Sequence, residues 1–144
     1  METSDTIKLL RECDAGTKMA VTSIDEILEK VEDEQLKKLL QKSKSHHKDL
    51  EADLHEKLNK YDAEGKEPNL MAKGMSWMKT NMKLGMDESD ETIADLLTDG
   101  CDMGIKSLYK YRNQYKAAEK EAKDICEKLI LIEEELERDL RQYL

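Results

Sequence analysis

The sequence contains no phenylalanine, a single proline and a single tryptophan, and aromatic residues make up only 4% of its 144 positions. Sheet-rich folds draw on aromatic residues and frequent turns, so this scarcity, with only six glycines, argues against a β-sandwich and for packed helices. Cysteine is scarce too. Cys13, Cys101 and Cys126 are odd in number and form no CxxC, which removes a disulfide framework and fits reduced thiols in a cytoplasmic protein. No apolar run of about 18 residues occurs, and METSDTIKLLRE at the start lacks a basic region followed by an apolar stretch. Neither a secretory leader nor a membrane span is expected. Positive charge is in deficit, with 24 Lys and Arg against 33 Asp and Glu and a formal net charge of -9. Such a molecule repels phosphate backbones and anionic bilayers, so no nucleic acid and no membrane is expected as a partner. P-loop, GxGxxG, GxSxG and HExxH patterns are all lacking, so no catalytic residue is assigned and an enzyme is not the favoured reading.

What the chain does have is helical periodicity. Residues 3–31 carry Ile7, Leu10, Cys13, Thr17, Ala20, Ile24, Ile27 and Val31 at spacings of three and four, opposed by Lys8, Arg11, Lys18, Asp25 and Glu29. Thr3 or Ser4 supplies an N-cap. A second helix, about 33–61, places Leu36, Leu40, Ser43, His47, Leu50, Leu54, Leu58 and Tyr61 on one stripe. The short link makes the pair an antiparallel hairpin. The stretch DAEGKEPNL, with a glycine and the only proline, then punctuates the chain. A third long helix starts near Asp90 with Ile93, Leu97, Cys101, Gly104, Ile105, Leu108, Tyr111 and Tyr115 inward. A fourth runs to the end through Ala122, Ile125, Leu129, Ile132, Leu136 and Leu140. One all-α domain over 1–144 is predicted: hairpin 3–61, crossover 62–88, hairpin 89–144.

The halves echo one another. ECDAGTK at 12–18 matches GCDMGIK at 100–106, at the same depth in the first helix of each hairpin. Small residues at i and i+3 clear a helical face, so a close crossing is expected where Cys13 and Gly16 meet Cys101 and Gly104. Two hairpins with a repeated pattern and a long central connection resemble the ferritin-like four-helix bundles. GMSWMKTNMKLGMDESDETIADLLTDGCDMG is similar to a segment of small bacterial domains of unknown function in that superfamily. The resemblance implies one crossover along the bundle length. Met71, Met75, Met78 and Met82, with Lys73, Lys79 and Lys83 between them, then read as a crossover helix over 71–86 that covers an interhelical groove, the alternative being a methionine-lined binding face.

The resemblance also implies a two-metal site, a Glu from each of two helices and a Glu-x-x-His from each of the others. The sequence does not supply that set. His47 lies on the inner stripe, yet neither it nor His46 follows a Glu by three positions, and no His occurs after His55. Glu12, Asp14, Asp99 and Asp102 offer carboxylates, and the reduced candidate set for a metal is Asp14, His47 and Asp102. IEEELERDL at 132–140 reads as an ion-paired outer face with Leu136 and Leu140 inward. The expected role is a non-catalytic bundle acting through protein contacts or self-association, with no cofactor. A metal-binding or redox protein holding iron or another divalent ion is the alternative.

Overall fold

The computed structural model describes residues 4–73, 77–81 and 87–144, leaving aside the side chains of residues 70, 72, 79 and 80. The chain forms an all-α, four-helix bundle. The helices in chain order are α1 (Asp5–Leu28), α2 (Glu34–Lys60), the short α3 (Asn69–Ala72) and α4 (Trp77–Asn81), then α5 (Asp90–Gln114) and α6 (Lys120–Leu140), followed by a 3-10 turn at Arg141–Tyr143. Three of the four long helices start on side-chain caps, each filling an orphan N–H. Ser4 Oγ accepts from Ile7 N at 3.2 Å, Asp33 Oδ1 from Leu36 N at 2.9 Å and Ser89 Oγ from Thr92 N at 3.2 Å.

Contacts between ends fix the direction of each helix. The Ala117 N–H donates to Asp5 Oδ2 at 3.0 Å and the Glu119 N–H to Thr6 Oγ1 at 2.8 Å. Both join the start of α1 to the chain just after α5. At the opposite end Lys30 Nζ pairs with Glu88 at 2.9 Å, and Asp90 accepts from the N–H groups of Glu32 and Asp33 at 3.0 and 2.9 Å. Thus α1 and α5 run in opposite senses. So do α2 and α6, since Lys42 pairs with Glu135 and Lys60 with Glu121.

Apolar side chains gather in two clusters. One holds Leu9, Leu10 and Cys13 with Leu50, Leu54, Leu58, Cys126 and Leu129; the other holds Ile24, Ile27, Leu36 and Leu40 with Met78, Ile93, Leu97, Leu136 and Leu140. Between them lies a buried polar layer of Thr17, Ser43, His47 and Glu133. The stripe read on the second helix holds closely: Leu36, Leu40, Ser43, His47, Leu50, Leu54 and Leu58 are its buried residues.

Three expectations need correction. Gly16 and Gly104 do not form a close crossing. A Cβ built on Gly16 would meet nothing nearer than Leu129 Cδ2 at 3.9 Å, and one on Gly104 nothing nearer than Glu133 Cδ at 4.0 Å. Nor do Cys13 and Cys101 meet, for they belong to different clusters. The end contacts bring Gly16 nearly level with Gly104, but both line an open space between α1 and α5 instead of a contact. Glu133, read as an outer residue, is buried. Finally, the helix expected over 71–86 is interrupted: α3 stops at Ala72 and Lys73 is in a turn, while Trp77–Asn81 is helical as expected. Met78 is buried as expected, and Met71 Sδ accepts from the Thr22 hydroxyl at 3.6 Å. Met75, Met82, Lys83 and Gly85 lie outside the described residues.

Candidate functional site

The middle of α2 carries no apolar residue at its inward positions, only Ser43 and His47 one turn apart, and this places an imidazole in the bundle interior. His47 is fully buried and both of its ring nitrogens are engaged. Nδ1 lies 2.8 Å from the Ser43 carbonyl oxygen and Nε2 lies 2.8 Å from Glu133 Oε1. A carbonyl only accepts, so Nδ1 carries a hydrogen, and the ring is oriented with its second nitrogen toward the carboxylate. Burial works against the charged imidazolium, but the hydrogen bond and charge of Glu133 and the Ser43 carbonyl outweigh it, and the His47 pKa is raised. Glu133 enters from α6 because positions 129, 133, 136 and 140 follow one stripe at spacings of four, three and four. From α5, Cys101 completes the cluster. Burial first, then the negative charge of Glu133 and a hydrogen bond to it, push the Cys101 thiol far up.

Asp14, the first of the sequence candidates, is fully buried elsewhere. Lys18 Nζ lies 2.9 Å from its Oδ2, His55 Nε2 lies 3.0 Å from its Oδ1, and the Lys66 N–H donates to Oδ2 at 3.0 Å. A Cβ on Gly65 would collide with this carboxylate, so the glycine is what allows the backbone after α2 to come so close. Asp14 thus anchors the start of the connection to α1. Asp102 is exposed on α5 and faces Glu137, whose pKa is raised chiefly by their shared hydrogen bond. Glu12 is ion-paired with Lys66 Nζ, and Asp99 is exposed. Asp14, His47 and Asp102 therefore each have separate partners. Among the described residues, no group of three or more His, Cys, Asp and Glu is arranged to hold a metal ion. The two-metal set implied by the family resemblance does not fit these residues, because it needs two imidazoles and four carboxylates around one centre, and here a single imidazole, His47, meets a single carboxylate, Glu133.

Beside the polar layer is a cavity of about 310 Å³ between α1 and α5. Gly16 and Ala20 form one wall, Gly100 and Gly104 the other, Leu129 and Glu133 the floor, and Trp77 part of the rim. Glu133 was missed in the sequence because it sits in a run of three glutamates. Its spacing from Leu129 and Leu136 was the available signal. No protein-family model, curated protein or solved structure matches the chain. Among the described residues, no helix is long and apolar enough to cross a membrane.

Proposed function

We propose that the chain is a non-catalytic, ferritin-like bundle, two antiparallel hairpins joined by a long crossover, that acts by binding other proteins or a second copy of itself. The opposed senses of α1 and α5 and of α2 and α6 support this path, because the end of α2 and the start of α5 then lie at opposite ends of the bundle. One observation carries the non-catalytic reading: the central layer, where a ferritin-like bundle holds its metals, is occupied by the His47–Glu133 pair with both imidazole nitrogens committed. A role through contacts then falls to the surface, where Met103, Tyr109 and Leu131 on α5 and α6 stand exposed. Sedimentation velocity across a hundredfold range of concentration, run on protein purified without chelator and analysed for metal, tests both halves. A rising sedimentation coefficient with substoichiometric metal is expected for self-association, and a constant monomer directs the search to other proteins. About two tightly bound irons per chain would defeat the reading.

A further inference from the structure

The cavity between α1 and α5 owes its space to missing side chains. Gly16 and Gly104 each sit inside a helix, where glycine costs about 1 kcal/mol relative to alanine, and neither is explained by a close neighbour. Trp77 helps to hold the cavity in shape. Its indole N–H donates to the Leu96 carbonyl at 3.3 Å and its ring lies against the bare backbone of Gly100. Ser23 lines the same space, is only 3% exposed, and its hydroxyl has no hydrogen-bond partner among the described residues. A buried hydroxyl left unpaired is costly, and a water needs two to four polar partners to settle beside it. Ile24, Leu97 and Leu136, which share that end of the cavity, offer none.

We propose that this cavity is a binding site for a small neutral molecule with an apolar body about the size of two fused rings and one oxygen that hydrogen-bonds Ser23. The size follows from volume: about 310 Å³ is roughly twice an apolar cavity known to hold benzene, and it reaches the lower bound of ordinary ligand pockets. Neutrality follows from charge. Lys66 at the cavity is paired with Glu12, and Glu133 at its floor with His47, so the lining has no unmatched charge for an ion. An ionic ligand would enter an apolar space without a counter-charge. The proposal stands apart from the surface role proposed above, since the cavity is lined by elements of one bundle and shares only Met103 with that surface.

The test uses three probes, naphthalene, 2-naphthol and 2-naphthoate, in calorimetric titrations. Binding is also followed through the indole N–H resonance of Trp77, the sole tryptophan. One saturable site per chain is expected for 2-naphthol, with a shift of that resonance, and binding of 2-naphthoate at least tenfold weaker. Ser23→Ala should weaken 2-naphthol about threefold to tenfold, the worth of one hydrogen bond, and leave naphthalene unchanged. Gly104→Leu, whose side chain would project toward Glu133 and into the space, should abolish binding of all three while the protein still melts cooperatively. Should that variant fail to fold, Gly16→Leu fills the same space from the other wall. The proposal is overturned by no saturable binding of 2-naphthol to the wild-type chain, by 2-naphthoate binding as tightly as 2-naphthol, by an equal effect of Ser23→Ala on naphthalene and 2-naphthol, or by full binding in a folded cavity-filled variant.

Discussion

Replacing His47 with alanine removes one side of a pair that is almost wholly withdrawn from solvent. The imidazole is fully buried and the Glu133 side chain retains only 11% of its exposure, so neither charge is much screened by water. Deleting the ring leaves a buried carboxylate facing the hole it vacated. Breaking a buried pair from one side costs about 3 to 5 kcal/mol, and that is the loss expected for His47→Ala. Replacing both partners with leucine should cost far less, because the double variant strands no charge, and this contrast separates the loss of a pair from the creation of an unpaired group. Equilibrium urea unfolding at pH 6 provides the assay, with the midpoint and slope compared across wild type, each single variant and the double. A loss below about 1 kcal/mol for His47→Ala would refute the reasoning, since that is the scale of an exposed pair. The pH dependence carries a definite sign. With its folded pKa raised, His47 contributes stability that is fully present below its unfolded value of about 6.5 and is lost as pH rises through the folded value. The gap between wild type and Glu133→Gln should therefore narrow as the pH climbs above 6.5.

Two glycines four residues apart on α5 should respond with opposite signs. Gly104→Ala gains about 0.5 to 1 kcal/mol, because its Cβ meets Glu133 only at an ordinary 4.0 Å and helix propensity improves. Gly100→Ala loses about 1 to 3 kcal/mol, because its Cβ would lie 2.7 Å from Trp77 Nε1, and thermal melts of the two read the difference directly. Met78, 2% exposed, should cost on the order of 2 kcal/mol or more when cut to alanine, and a loss below about 0.5 kcal/mol would place it on the surface. Cys13, Cys101 and Cys126 are all buried, so an aromatic disulfide reagent should label them only as fast as the bundle opens; rapid labelling of Cys101 in the native state would contradict its place against Glu133.

Much of this architecture is legible in residue spacing. On α2 every leucine of the stripe is buried, because a helix that packs on two neighbours through one face leaves little choice of register. Ser4 as a cap and the start of α5 at Asp90 are equally local matters. Glu133 was not read as buried because its charge outweighed its position: the stripe through Leu129 and Leu136 includes it, but a carboxylate reads as exposed until its partner is known, and His47 lies 86 residues away. The repeated Cys-Asp-x-Gly shows a second limit. A small residue permits a neighbouring backbone to approach, and it equally permits an empty space, and only the separation of α1 from α5 decides which. Asp14 combines both limits, since its partners Lys66 and His55 come from an irregular segment and from another helix.

The central layer is where the non-catalytic reading is most exposed to test, and nitrogen-15 spectra of the labelled imidazole of His47 at pH 6 address it directly. Protons on both ring nitrogens, with resonances unmoved by an equivalent of Fe(II), Mn(II) or Zn(II), are the expected result for a ring committed to Ser43 and Glu133. A bare nitrogen whose resonance shifts or broadens on addition of metal would contradict it, and would make His47 a ligand.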